Sequence, residues 1–471
     1  MKISQYTCAL ICMISGYLQA KTEQMDFVII DKIAIEGHVK TKREVITREL
    51  TFRIGDTIPL LALSGKLQES KERLVSTALF TSVVISTPDS GADKRITVSI
   101  KVLETWFIYP VPIFSLADRN FNVWWDEKGH ALSRINVGLQ LTYNNFTGQR
   151  DPLRLTIQGG YTPKVAFSYE FPYLNKAQTV GLATSFNYSQ NKELIYATAG
   201  NRTLFADNAD LSPMIRQIAW DASLFYRPGL YLTHVWDIGF SNKRISDTIA
   251  KDLNPGFFLD SANIQRYWTL SYAFSYDRRD IKFYPKKGYY LNGYVQKNGI
   301  LGHDNANDFL VGMRFGGYLS FDKRFSFETV GHVETDLDRG QKPYNLNKAL
   351  GYGGDFLRGY EYYVVDGIDF GIIKNTLRFE FFDYTANLKQ YMPLKAFRLA
   401  PIAGYLTLDG DAGFTNDPYS RTDVNSFPNR LLYSYGLGLN LVFYYDMVFK
   451  IEYSINHLNQ GGVYLHYQAL F

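Results

Sequence analysis

The sequence predicts a transmembrane antiparallel β-barrel of about 16 strands, preceded by one small α+β domain. Three observations carry this expectation. The chain closes on strict alternation, with Val463, Leu465, Tyr467, Ala469 and Phe471 on one face and Tyr464, His466, Gln468 and Leu470 on the other, the period of a strand with one apolar face. It opens on Lys2, a mostly apolar stretch from Tyr6 to Tyr17, and Leu18-Gln19-Ala20 before Lys21, the pattern of a cleaved export signal over residues 1–20. Aromatic residues make up 16% of the chain, 35 Tyr and 33 Phe among them, while mean hydropathy is slightly negative. A barrel averages out in this way, because its apolar outer face alternates with a polar lumen.

The N-terminal apolar stretch is short for a spanning helix, which needs about 20 apolar residues. Cys8 and Cys12, the two cysteines, both lie inside it, so the exported chain is expected to make no disulfide and no thiolate-metal site. Neither follows a lipoprotein-type Leu-small-small sequence, so lipid anchoring is not expected. A formal net charge of +4 is too near balance to suggest a polyanion, and no nucleic-acid partner is expected.

Residues 27–104 read as a β-α-α-β-β domain. Ile33 and Ile35 alternate in a first strand that ends at Gly37, and Thr41-Lys42-Arg43-Glu44 fits a capping box that starts a helix. Ile46 and Leu50 keep helical spacing before a turn at Gly55-Asp56. A second helix carries Leu67, Lys71, Leu74, Val75 and Ala78 on one side, out to Leu79-Phe80. Val83 and Ile85 then form a strand, Pro88 to Asp93 a turn, and Ile96, Val98, Ile100 and Val102 the last strand. The run Ile33-x-Ile35-x-Gly37, Arg48-Glu49-Leu50, Gly55-Asp56, Leu79-Phe80 with Val83, and Val102-x-Glu104 resembles a POTRA domain. That is the periplasmic module of the BamA/TamA superfamily of outer-membrane assembly factors. The stretch has room for one copy.

Residues 105–471 show no helical domain. Alternating segments recur: Leu153-Leu155-Ile157, Tyr289-Leu291 with Tyr294, Phe325-Phe327, Tyr433 through Phe443, and Phe449-Ile451-Tyr453-Ile455, with Asn, Asp, Gly and Pro clusters between them. Phe171-Pro172-Tyr173-Leu174 fits a tight periplasmic turn, and Asn298 to Asn307 and Asn416 to Asn429 fit loops at the opposite end. The aromatic terminus, Tyr467 and Phe471, resembles the C-terminal signal of bacterial outer-membrane barrels.

Two motifs extend the resemblance. Leu357-Arg358-Gly359-Tyr360 is similar to the Arg-Gly-aromatic tip of the loop that folds back into the barrel in this superfamily. A guanidinium placed there needs carboxylates, and the resemblance implies Glu380 and Asp411 as its partners. Asp277-Arg278-Arg279-Asp280 through Pro285, Gly288 and Tyr290 resembles the superfamily's strand-turn-strand signature, with φ fixed at Pro285 and free at Gly288. A third feature is physical. Pro110 and Pro112 fall in what should be the first barrel strand, and residues two apart send their amides to the same neighbour, so both gaps weaken one pairing edge. Two readings stay open, a soft seam against the last strand or a stiff hinge between domain and barrel.

Enzyme chemistry is not expected. Seven histidines are scattered without ligand spacing, Gly351 to Gly354 lacks the Lys-Ser/Thr of a P-loop, and the acids from Glu334 to Asp338 read as loop or lumen charge rather than a metal site. No cofactor is expected. The resemblance implies an outer-membrane assembly or insertion factor whose POTRA domain captures client strands. The implied partners are the outer-membrane lipid bilayer, unfolded barrel clients or a specific exported protein, and periplasmic chaperones or accessory lipoproteins. One alternative is a superfamily pore that exports a particular partner, although such exporters typically carry two POTRA modules and a plug helix. Another is a small-solute channel or receptor.

Overall fold

The computed structural model describes residues 26–90, 94–175, 177–207, 212–387, 399–420, 423–443 and 447–469. The export-signal segment, with Cys8 and Cys12, and the terminal Phe471 lie outside the described residues. The chain divides into two compact units, one of residues up to 107 together with 145–150, the other holding the rest.

In the first unit, strands β1 (Phe27–Glu36), β2 (Thr57–Pro59), β3 (Phe80–Ser90) and β4 (Arg95–Glu104) form a sheet in the order β2-β1-β4-β3, with β1 and β4 parallel. Helices α1 (Arg43–Arg48) and α2 (Leu60–Ser76) complete the unit, and a parallel pair requires such a crossover. Ile30, Ile33, Val98 and Ile100 from the sheet and Ile46, Leu63 and Leu74 from the helices are buried in its core. Three details depart from expectation. A short strand, β2, precedes α2, and α2 starts at Leu60. Its buried positions are Leu63, Ser70 and Leu74, while Lys71, Val75 and Ala78 stay exposed. No capping box forms: the N-cap of α1 is Lys42, without a side-chain bond. The Thr41 hydroxyl instead accepts Asn145 Nδ2 at 3.0 Å, and Glu104, at the end of β4, accepts the Lys40 and Thr41 amides at 3.0 and 2.6 Å. A carboxylate from a distant strand thus takes the role expected of Glu44, accepting the Thr41 amide.

The second unit is a sheet of 16 antiparallel strands. It begins with β5 (Ile108–Leu116), β6 (Ile135–Tyr143), β7 (Leu153–Gly160), β8 (Lys164–Phe171) and β9 (Val180–Asn191). A hairpin of β10 (Glu193–Ala199) and β11 (Arg202–Asp207) stands outside the sheet. Strands β12 (Ile215–Tyr226), β13 (Leu232–Ile245), β14 (Ile264–Asp277), β15 (Gly288–Asn298), β16 (Asp308–Ser320) and β17 (Phe325–Asp336) follow. A loop carrying the small hairpin β18 (Lys348–Leu350) and β19 (Val365–Asp366) then leads to β20 (Asp369–Asn387), β21 (Leu399–Asn416), β22 (Leu431–Phe443), β23 (Met447–Asn456) and β24 (Gly461–Ala469).

Alternation along the strands is inverted relative to a water-soluble protein. On β21 to β24 the exposed positions are Leu406, Leu408, Leu437, Ile451, Tyr453, Val463 and Tyr467, and the buried ones include Thr407, Asp409, Asp411, Asn440, Glu452 and Ser454. An apolar outer surface around a polar interior is the arrangement of a barrel whose solvent is hydrocarbon. Among the described residues no helix is long and apolar enough to cross a membrane.

Candidate functional site: the pinned loop and the seam

The connection between β17 and β20 folds inward, and its tip carries Arg358. Gly359 follows at φ +81°, a left-handed conformation that turns the backbone at little cost only for glycine. All five N–H bonds of the guanidinium are used. Nε donates to Asp411 at 2.9 Å, one terminal nitrogen to Thr376 Oγ1 at 2.9 Å and to Asp409, and the other to the Asn375 carbonyl at 3.1 Å and to Asp411. The Arg358 amide also donates to Asp411, at 3.0 Å. Glu452 on β23 lies 4.0 Å away. The side chain of Asp411 is fully buried and Arg358 nearly so. A buried cation with every donor matched and two carboxylates in contact is the arrangement in which desolvation is offset.

The rest of the tip is packed as well. Leu357 is 1% exposed and fills the space left by Gly413, where an added Cβ would lie 2.9 Å from it. The Tyr360 hydroxyl donates to the Tyr433 carbonyl at 3.0 Å, and its ring stacks on His457.

Glu380 is not a partner of Arg358. It receives Lys286 Nζ at 2.5 Å and the Tyr405 hydroxyl at 2.8 Å. Glu380 lies four residues along β20 from Thr376, about 13 Å at roughly 3.3 Å per residue, which places it beyond the guanidinium's reach. The second acid is Asp409, one pleat before Asp411 on the same face. The period-2 rule applied to Asp409-Gly410-Asp411 would have found it.

The signature from Asp277 to Tyr290 forms the turn between β14 and β15. Asp277 takes Arg279 in two parallel bonds of 2.9 and 2.8 Å, and Asp280 accepts the Ile281 and Lys286 amides at 2.8 and 3.1 Å. Gly288 sits at φ +102°, where a Cβ would meet the Arg278 carbonyl oxygen at 2.1 Å, so no other residue fits there without rearrangement. The turn folds against the inner wall. Tyr284 is buried beside Tyr405, the Pro285 carbonyl accepts Arg378 at 2.7 Å, and Lys286 occupies Glu380.

The prolines can be placed by strand parity. The Ala117 amide donates to the Arg134 carbonyl, 2.9 Å, just beyond the last β5–β6 pair, Leu116 with Ile135. Amides of odd-numbered residues in β5 therefore face β6, and the register runs unbroken from Ile108 to Leu116. Amides at even positions face the other way. Pro110 and Pro112 accordingly leave their gaps on the edge of β5 away from β6, the edge at which the sheet ends. At the far end of the sheet is β24, and among the described residues no ladder joins it to β5. The Asn456 amide bonds the Gln460 carbonyl, so even positions of β24 face β23 and odd positions face outward along the open edge.

A cavity of about 890 Å³ reaches from the interior to the edges of β5 and β24. Its lining includes Arg358, Lys374 and Glu452 from the interior, and Phe114 of β5 with Leu465 and Tyr467 of β24 at the edge. Tyr467 is exposed.

No family model matches the sequence, and no curated protein matches it. Solved structures do match in fold. BamA from Haemophilus ducreyi lacking POTRA domains 1–3 superposes with a TM-score of 0.60 at 15% identity, over 94% of this chain and 83% of that one. CdiB from Escherichia coli gives 0.54 at 12%, over 94% and 75%, and CdiB from Acinetobacter baumannii 0.50 at 13%, over 94% and 73%. The chain shares the fold of these solved structures.

Proposed function

We propose that this chain is an outer-membrane factor that inserts β-rich client proteins at the seam between β5 and β24. The observation that carries this reading is the continuous cavity, which reaches from the pinned loop to outward-facing residues of β24 across an edge where no ladder forms among the described residues. Backbone amides cannot face hydrocarbon unpaired, so an open edge inside the apolar belt calls for a partner, and an extended client strand supplies one. Pro110 and Pro112 hold the two edges apart by removing donors from one of them. The pinned loop keeps the lumen wall rigid while the seam is free to change.

The four-stranded first unit is read as a POTRA module in the periplasm. The structural match over 94% of the chain extends beyond the 16 strands, and the order β2-β1-β4-β3 leaves β3 at an edge where a client segment can add by strand pairing. Chaperones or accessory lipoproteins would deliver clients to it. Export of one dedicated partner is the second reading.

Depletion of the protein followed by proteomics of the outer membrane tests the assignment. Loss of many barrel proteins is the expected outcome. Loss of one surface protein would move the assignment to export, and an unchanged profile would leave a channel or receptor.

A further inference from the structure

The loop between β5 and β6 places a side chain on the open edge of β24. Asn122 Oδ1 accepts the Leu465 amide at 3.0 Å, and its Nδ2 donates to the Val463 carbonyl at 2.8 Å. Both backbone groups belong to odd positions, the ones that face away from β23. One side-chain amide thus offers β24 a donor and an acceptor, as the backbone of a neighbouring strand would. Asn122 is buried although Val463 and Leu465 are exposed, and an edge amide that faces hydrocarbon without a partner is costly.

The segment that holds Asn122 is tied to the pinned loop. Arg119 donates to the Tyr362 carbonyl at 2.7 Å, Asn120 donates to the Glu361 carbonyl at 2.8 Å and accepts the Val123 amide at 2.9 Å, and the Tyr362 hydroxyl donates to Asp126. Glu361 and Tyr362 directly follow the Arg358-Gly359-Tyr360 tip. A continuous set of contacts therefore runs from the guanidinium site to the edge of β24.

We propose that Asn122 is a latch: it occupies the pairing edge of β24 at Val463 and Leu465 in place of an incoming extended strand, and it leaves before such a strand pairs there. The occupant it stands in for is polypeptide backbone, because the edge presents alternating donors and acceptors. The facing edge of β5 lacks donors at Pro110 and Pro112, so β24 is the better template of the two. The latch rests on the reading of the seam as the insertion site, and it is what keeps that edge satisfied while no client is present.

Hydrogen exchange on the full chain in lipid nanodiscs tests it, with insertion of a barrel client measured on the same preparations. In Asn122→Ala the Leu465 amide should exchange roughly tenfold faster, as expected for loss of one hydrogen bond, while ladder amides of β22 and β23 keep their protection. Asn122→Ser, which disturbs the loop less and reaches only one of the two backbone groups, should give a smaller rise. It carries the test if the alanine chain does not fold. Unchanged exchange at Leu465 overturns the latch whatever insertion does. Faster exchange with unaltered insertion supports the latch as the cover of this edge and counts against the seam as the insertion site.

Discussion

Arg358 holds Asp409 and Asp411 together on one face of β21, so its removal leaves two buried carboxylates side by side with their cation gone. Arg358→Ala should cost about 3–5 kcal/mol, the usual penalty for breaking a buried pair from one side, and Arg358→Lys less, since an ammonium keeps the charge but cannot fill a planar five-donor site. Denaturation in detergent and protease resistance of the loop should fall together. A double-mutant cycle should show coupling of Arg358 to Asp411 and to Asp409, and none to Glu380. Asp411 and Glu380 were equally plausible partners in the sequence, where distance along a strand is hidden. What separates them is how deep the loop tip reaches, a property of the folded barrel. Glu104 permits a second test at this scale. Burial pushes its carboxyl up, but bonds from Thr41, Lys40 and Val39 outweigh this and hold it below the ordinary value. Its contribution is therefore full above the unfolded-state value, near 4.3, and is lost as pH falls through the lower folded value. Acid titration of the first unit's circular dichroism should show a steeper loss of structure in the wild type than in Glu104→Gln.

At the scale of elements, the proposed seam would depend on two missing donors. Replacing Pro110 and Pro112 with valine restores both amides to the outer edge of β5, on parity grounds, and valine suits a strand. The double variant should pair more readily with β24, slow hydrogen exchange at Tyr467 and lower client insertion. If both readouts match the wild type, the prolines serve as a hinge. The strand class of the second unit was legible because period-2 alternation survives wherever one face meets an apolar solvent. The hairpins β10–β11 and β18–β19 were not, because they stand on loops and alternate against nothing uniform. Strand β2 has three residues, too few for a periodic signal, and it forms because β1 presents Phe27, Val28 and Ile29 as a template. The capping box failed for a related reason. A local motif competes with any distant group that reaches the same amides, and Glu104 arrives from 63 residues away in sequence to bond Thr41.

At the scale of the whole molecule, the two units make separable demands. The first has its own buried core of Ile30, Ile46, Ile58, Leu74, Val98 and Ile100, while the second is stabilised by a continuous run of 15 antiparallel pairings from β5 to β24 and by the Arg358 site. Deleting residues 27–103 should therefore leave a barrel that still folds in lipid. Its sign would be heat modifiability, faster migration in detergent gels when unboiled than when boiled, because the ladders yield together only on heating. The same truncated chain should fail to restore client levels in depleted cells, since strand capture by the sheet edge at β3 would be gone. The two readouts separate the outcomes. A truncated barrel that is heat-modifiable and fully active would assign client selection to the seam alone. One that is no longer heat-modifiable would mean that the first unit contributes to barrel folding as well as to capture.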